Sequence, residues 1–156
     1  MRFAALVLAA TGLAGCSAYA DKPSPGEWVS EAKLESLEAP RMSPEAADRM
    51  RKVMGSTISG HRICLTQEMV DNSAAEFFSG EGSGCNYQQF SMESGKVSGT
   101  MRCQQGPRVQ MINVTGSYTA NRYDVRMDQQ IESGRDDEMR IVVQVSAHRV
   151  GDCKAS

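Results

Sequence analysis

Two segments near the C-terminus, YDVRMDQQI (residues 123–131) and MRIVVQVSA (residues 139–147), decide the fold. In both segments apolar and polar side chains alternate, a pattern typical of a strand with one buried and one solvated face. A turn at residues 133–137 would place Val125 opposite Val145, so that the apolar side chains of both strands share one face. The sequence therefore predicts an antiparallel hairpin that contributes one face to a hydrophobic core.

Further strands are predicted upstream of this hairpin. The segment between Cys85 and Cys103 is expected to form a second hairpin that turns at residues 93–96 (ESGK). A strand at residues 108–118 follows it, and the pattern does not fix the register of that strand. Near the start of the domain, the alternation of apolar and polar residues over 27–35 predicts another half-buried strand.

Two helices are predicted in the N-terminal half. The Ser-Pro pair at residues 43–44 is a helix start, with serine as the cap and proline at the first helical position. Gly55 is expected to end this helix, because apolar residues recur at helical spacing up to that point, at Ala46, Ala47, Met50, Val53 and Met54. A strand at residues 57–65 follows, and Thr66 is expected to cap a second helix at residues 67–78.

Together these elements predict an α+β fold, a mainly antiparallel β-sheet of six or seven strands with two short helices inserted in the N-terminal half. The pattern leaves open whether the sheet is curved or barrel-like. A chain of 156 residues fits a single domain, which we place at residues 26–156. With only 6% aromatic residues its core is modest, and such cores are often reinforced by disulfides.

The first fifteen residues have the composition of a lipoprotein signal peptide. Arg2 precedes an apolar run at residues 3–10, which is too short to span a bilayer. The sequence LAGC that ends at Cys16 resembles the bacterial lipobox, in which the cysteine thiol is acylated and the signal is cleaved just before it. We expect lipid such as palmitate on Cys16, a flexible tether at residues 16–25, and membrane anchoring through that lipid. Ser17 favours the periplasmic face of the outer membrane, because an aspartate there retains lipoproteins at the inner membrane of enteric bacteria.

The cysteine count agrees with export to an oxidising compartment. Lipidation of Cys16 leaves four of the five cysteines, and an oxidising periplasm favours two disulfides among them. Four cysteines allow three pairings. Because the predicted hairpin brings Cys85 close to Cys103, we expect that pair, with Cys64 and Cys153 forming the remaining one.

These features together resemble those of an uncharacterised group of exported proteins, the domain of unknown function 3617 family. The shared features are the signal or lipobox, PGEW at residues 25–28, CLT at residues 64–66, the hairpin cysteines Cys85 and Cys103, and HRVGDC at residues 148–153. The resemblance covers most of the mature chain. It implies a proteobacterial envelope location and a disulfide-bearing domain, and it implies no activity.

The two histidines, His61 and His148, are the candidates for a metal site. They lie three residues before Cys64 and five before Cys153, so all four would form a zinc-type ligand set if they converged. An oxidising compartment favours the disulfide instead, and we expect no metal and no cofactor. The ten methionines offer the thioether ligands that copper(I) prefers, but those at core-facing positions are expected to pack there.

The composition argues against nucleic acid as a partner, and the motifs supply no activity. The net charge is −2, and no run of basic residues predicts the positive surface that nucleic-acid binding requires. The leading hypothesis is a non-catalytic envelope module that binds a protein or the cell wall, or acts structurally. One alternative is a periplasmic carrier of a small apolar ligand, held against the sheet at residues that the sequence does not identify. The other is an enzyme, which would need titratable groups converging in a cleft.

Overall fold

The computed structural model describes residues 22–57, 59–72, 84–132 and 138–154. This part of the chain forms a seven-stranded antiparallel sheet with two short helices, and the predicted fold class is confirmed. Neither described helix is long and apolar enough to cross a membrane. In chain order the elements are β1 (Gly26–Glu38), α1 (Pro44–Thr57), β2 (Ser59–Leu65), α2 (Gln67–Asn72), β3 (Cys85–Glu93), β4 (Lys96–Gln105), β5 (Arg108–Tyr118), β6 (Arg122–Glu132) and β7 (Met139–Gly151).

The strands lie in the order β2-β1-β7-β6-β5-β4-β3, and every neighbouring pair is antiparallel. From β3 to β7 the strands follow one another as a meander. The first strand of the chain, β1, pairs with the last, β7, and β2 adds outside β1. Because β2 and β3 each have one sheet neighbour in the described structure, the sheet is open rather than closed.

The C-terminal hairpin has the predicted register. β6 pairs with β7 so that Val125 lies opposite Val145 and Ile131 opposite Met139. Directly opposed residues lie on the same side of a sheet, so these four apolar side chains share one face. The predicted turn at residues 133–137 lies outside the described residues.

The structure also supplies the register of β5 that the sequence left open. Gly116 of β5 lies between Val97 of β4 and Val125 of β6. Only a glycine fits at this point, because a Cβ atom would lie 2.2 Å from the carbonyl oxygen of Asp124. Gly116 therefore allows β5 to lie close to the backbone of β6 beside the buried Val125.

The hairpin of β3 and β4 turns where the sequence predicted. Ser94 and Gly95 both have positive φ, 50° and 74°, as the central residues of a type I′ turn require. Such turns match the twist of the strands they join, and they fix the register of both strands. A one-residue bulge in β3 between Tyr87 and Gln89 then shifts this register, so that Cys85 lies directly opposite Cys103 rather than opposite Gln104.

Two element boundaries in the N-terminal half differ from those predicted. α1 starts as expected, with the hydroxyl of Ser43 accepting a hydrogen bond from the amide of Ala46 at 3.3 Å. The prediction that Gly55 ends the helix was wrong, since α1 continues to Thr57. A glycine ends a helix by adopting a left-handed conformation, and Gly55 does not have positive φ. β2 consequently starts at Ser59 rather than at residue 57.

The predicted apolar stripe of α1 is narrower than expected. Val53 was assigned to it, but this side chain is 63% exposed, and contact with the core is made by Met50 and Met54. α2 begins as predicted, with the Thr66 hydroxyl accepting a hydrogen bond from the amide of Met69 at 3.2 Å. The remainder of that predicted helix, residues 73–78, lies outside the described residues.

The core lies on one side of the sheet, which we call the inner face. Every strand contributes side chains to it from alternate positions, and both helices pack against it. α1 covers one end through Met50 and Met54, and α2 packs near the other end through Met69 and Val70. The buried residues that the strands place here are Trp28, Leu37, Leu65, Val97, Met101, Cys103, Ile112, Val114, Tyr118, Tyr123, Val125, Ile141, Val143 and Ala147.

A bulge in β1 adjusts which of its residues face the core. Pairing with β7 slips by one residue between Leu34, which lies opposite Val143, and Ser36, which lies opposite Val142. One extra residue in a strand reverses the alternation beyond it. Leu34 and Leu37 therefore both reach the inner face, although their spacing is odd.

Candidate ligand-binding site

The inner face is filled at the end where β1 starts. Trp28 is completely buried there and stacks on Tyr123 with ring centroids 5.9 Å apart. The indole nitrogen of Trp28 donates a hydrogen bond to the carbonyl oxygen of Ser24 at 3.0 Å, so its polar atom is satisfied. Burial raises the pKa of the Tyr123 phenol to about 12. We call this region the packed end, defined by Trp28, Leu65, Val97, Tyr118, Tyr123 and Val125.

The opposite end of the inner face is not filled. Between α1, the turn that follows β1 and the ends of β4 to β7 lies a half-open pocket of about 470 Å³, which we call the open-end pocket. Its volume falls within the range of about 300–1,000 Å³ that small-molecule sites occupy. Among the residues that line it are Arg41, Met50, Arg108, Ile131, Glu138 and Met139.

The apolar wall of the open-end pocket comes from elements that are distant in sequence. Met50 projects from α1, Ile131 from β6 and Met139 from β7, and all three pack against the small core cluster around Leu37. Ile131 and Met139 are directly opposed across their hairpin. These side chains are half-buried rather than buried, so apolar surface remains available to a ligand.

The mouth of the open-end pocket is charged. Arg41, Arg108 and Glu138 line it, and all three residues are exposed. Arg41 lies in the turn after β1, Arg108 is the first residue of β5, and Glu138 immediately precedes β7. Apolar side chains below and a few charged groups above are the combination typical of a site that orients an amphipathic molecule.

The structure contains both cysteine pairs that the sequence analysis expected. Cys85 and Cys103 are joined across β3 and β4, and Cys64 is joined to Cys153, with Cα atoms 3.9 Å and 5.5 Å apart respectively. Cys103 is buried and also lines the open-end pocket, so this disulfide is part of the pocket wall. The proposed lipidation site, Cys16, lies outside the described residues.

The histidines are not brought together. His61 lies opposite Ser30 of β1, and His148 lies opposite the adjacent residue, Val29. Side chains of successive strand residues point to opposite faces, so the two imidazoles lie on opposite sides of the sheet. In the described part of the chain, no three His, Cys, Asp or Glu side chains are placed to hold a metal ion.

The outer face of the sheet carries an ion-pair cluster. The guanidinium of Arg140 donates two hydrogen bonds to the Asp128 carboxylate, at 2.6 and 2.9 Å, and Arg126 links Asp128 to Glu35. The hydrogen bond from Arg140 holds the pKa of the Asp128 carboxyl below its ordinary value of 3.8. Val142, opposite Asp128 on the same face, is 2% exposed. The cluster therefore covers an apolar residue on the surface of the sheet. It does not line a cleft, and we assign it a structural role.

Tyr87 is the described residue with a buried hydroxyl that has no hydrogen-bond partner. Its ring packs edge-on against Phe90 on the inner face, with centroids 5.0 Å apart. Burial raises the pKa of this phenol well above its ordinary value. A phenol held protonated with no neighbouring base carries out no proton transfer, so we assign it no chemical role.

The fold and the site define a class of protein: a small disulfide-linked domain with an open antiparallel sheet, one end packed and the other end holding a pocket. Within that class the chain belongs to the family described as "Protein of unknown function (DUF3617)", whose model matches residues 23–153. This confirms the resemblance drawn from the cysteine positions and the flanking motifs. No curated protein and no solved structure matched the chain.

Sequence reasoning missed the residues of the open-end pocket. It placed Ile131 and Met139 on the core face of their strands, which is correct, but it gave no sign that this part of the face stays open. Arg108 offered a weak signal, since a basic residue at the start of a strand differs little from any solvated charge. The pocket lies between Met50 of α1 and the ends of β4 to β7, and no pattern within any one of these segments predicts the space between them.

Proposed function

We propose that this protein is an envelope lipoprotein whose domain is a non-catalytic binding module that holds a small apolar ligand in the open-end pocket. The single observation that carries the proposal is the pocket itself, about 470 Å³ of half-open space at one end of the inner face. A sheet that needed only to be stable would close this space, because unfilled core volume costs free energy. Half-buried Met50, Ile131 and Met139 supply the apolar surface.

The chemistry of the site favours binding over catalysis. Among the described residues, the groups with shifted pKa values are Tyr87, Arg122, Tyr123, Asp128 and Arg140. Each pKa is shifted by burial or by an ion pair, and none of these residues lines the open-end pocket. Catalytic sites usually place such perturbed groups inside the cleft. Methionine side chains adapt their shape to a bound molecule, which suits a site for flexible apolar ligands.

Photolabelling tests ligand binding directly. The full chain in phosphatidylcholine nanodiscs is irradiated with hexadecanol that carries a diazirine on its chain, and labelled peptides are mapped by mass spectrometry. We expect label on the peptides that contain Met50, Ile131 and Met139. Ile131→Trp should abolish this label, because the larger side chain occupies the pocket.

The matched control is Val53→Trp. It adds the same indole at a position of α1 that is 63% exposed and does not line the pocket, so labelling should be unchanged. If wild-type protein takes no label at the pocket peptides, or if the Ile131 and Val53 variants label equally, the ligand-binding function is wrong.

The envelope location is the second part of the proposal. It rests on the LAGC sequence at Cys16 and on the serine at position 17. Cells grown with radioactive palmitate should label the wild-type chain and Ser17→Ala but not Cys16→Ala. In an enteric host, Ser17→Asp should move the chain from the outer to the inner membrane fraction. A wild-type chain without label would contradict the lipoprotein assignment, whatever the pocket binds.

A further inference from the structure

The charges at the mouth of the open-end pocket are unevenly paired. Arg108 makes no side-chain hydrogen bond and no ion pair with any residue in the described part of the chain. Most of the other described arginines are paired with an acidic residue, namely Arg51, Arg62, Arg122, Arg126, Arg140 and Arg149. An unpaired guanidinium beside an apolar pocket can form an ion pair with an anionic group of a ligand.

Guanidinium groups bind carboxylates and phosphates through two parallel hydrogen bonds. Arg41 lines the same pocket, so two positive charges stand at its mouth. Glu138 is also there, and in the described part of the chain it forms no ion pair with Arg108, so it does not directly neutralise that guanidinium.

We infer that the open-end pocket takes a single-chain amphiphile with an anionic head, bound by Arg108, and with its acyl chain against Met50, Ile131 and Met139. This inference rests on the ligand-binding function proposed above and adds the class of ligand. Both a free fatty acid and a lysophospholipid with one phosphodiester have this chemistry. The apolar wall accepts the chain without specificity for its length, whereas the head is selected by charge.

The test compares two photoprobes that differ only in the head. The full chain in phosphatidylcholine nanodiscs is labelled at 0.15 M salt with diazirine-bearing hexadecanoic acid or with its methyl ester. We expect the acid to label the pocket peptides about fivefold more than the ester, as one solvent-exposed charge pair allows. Arg108→Gln should remove this preference without changing labelling by the ester.

Two further variants sharpen the result. Arg49→Gln removes another exposed arginine that has no ion pair in the described structure but does not line the pocket, and it should leave the preference intact. Glu138→Gln should increase labelling by the acid about twofold, since it removes a like charge from the mouth. Competition by oleate or by lysophosphatidylglycerol then distinguishes the two sources of the head.

The outcomes separate the inference from the proposed function. If acid and ester label the pocket equally, or if Arg108→Gln and Arg49→Gln behave alike, the anionic head is wrong while ligand binding stands. If neither probe labels the pocket peptides, both are wrong. A preference for the acid that is lost with Arg108→Gln alone supports the inference.

Discussion

The two ends of the inner face are built from the same strands yet differ in how they are filled. At the packed end Trp28, Tyr118 and Tyr123 bring large rings together, and Gly116 allows the strands and side chains to close around them. At the open end the facing positions carry Ile131 and Met139, under a helix that leaves about 470 Å³ between itself and the sheet.

The difference teaches that one face can concentrate buried rings at one end and keep accessible apolar surface at the other. Rings contribute the most buried area per side chain, so the packed end supplies most of the hydrophobic stabilisation. The open end keeps apolar surface half-buried, which costs stability and leaves room for a ligand. Substitutions at the packed end should therefore affect unfolding, and those at the open end should affect binding.

The largest expected effect comes from the disulfides, one of which belongs to each end. Replacing Cys64 and Cys153 by alanine opens the link that spans 89 residues near the packed end, and should lower the free energy of unfolding by about 4.5 kcal/mol. Replacing Cys85 and Cys103 opens a link of 18 residues in the pocket wall and should cost about 3 kcal/mol. Urea unfolding followed by circular dichroism gives both values, and the reverse order would contradict a chain-entropy explanation.

Side-chain truncation compares the two ends directly. Trp28→Ala should lower the free energy of unfolding by about 4 kcal/mol, because it leaves a large cavity among fully buried residues. Ile131→Ala should cost about 1 kcal/mol, because its side chain already borders open space. The measurement is again urea unfolding. Equal costs at the two positions would mean that the open end is packed in solution.

A smaller effect, an increase in the free energy of unfolding, is expected from a substitution at Tyr87, which lies between the two ends. Its buried hydroxyl has no hydrogen-bond partner in the described structure, and an unsatisfied buried polar group is destabilising. Tyr87→Phe keeps the ring against Phe90 and should raise the free energy of unfolding by about 1 kcal/mol. A loss of stability on thermal unfolding would show that the hydroxyl makes a bond after all.

The smallest effect on stability is expected on the outer face. A substitution there touches neither end of the inner face and serves as a reference for both. The ion pair with Arg140 lowers the pKa of Asp128 in the folded protein, so the ionised carboxylate stabilises the fold above its ordinary pKa of 3.8. This contribution is lost as the pH falls below 3.8 and through the lower folded value. Asp128→Asn should therefore lower the free energy of unfolding by about 0.5 kcal/mol at pH 7. At a pH below the folded pKa of Asp128 it should have no effect.

The control for this pH dependence is Glu132→Gln, which removes one exposed carboxylate from the same strand at a position that forms no ion pair in the described part of the chain. It reports the general effect of changing the net charge by one unit. If wild type and Asp128→Asn differ equally in chemical denaturation at pH 7 and at pH 3, the ion pair does not account for the difference.

Much of the fold could be predicted because its signals are local. Alternation identified β6 and β7 together with their register, and the Ser-Gly turn at residues 94–95 identified the hairpin of β3 and β4. The end of α1 could not be predicted in this way. Gly55 can end a helix or continue through it, and the choice depends on the backbone conformation that the surroundings impose.

The sequence by itself determined which side chains of β6 and β7 face the core, since alternation along a strand without a bulge places every second residue on one side. It also determined that Cys85 comes near Cys103, because a tight turn lies between them, whereas their direct opposition depends on the bulge between Tyr87 and Gln89. The tertiary structure decided which part of the core face is filled, and only it placed Arg108 and Glu138 beside Met50. The physical reason is that a strand pattern specifies a direction for each side chain, whereas a pocket depends on the distance to elements far away in the chain.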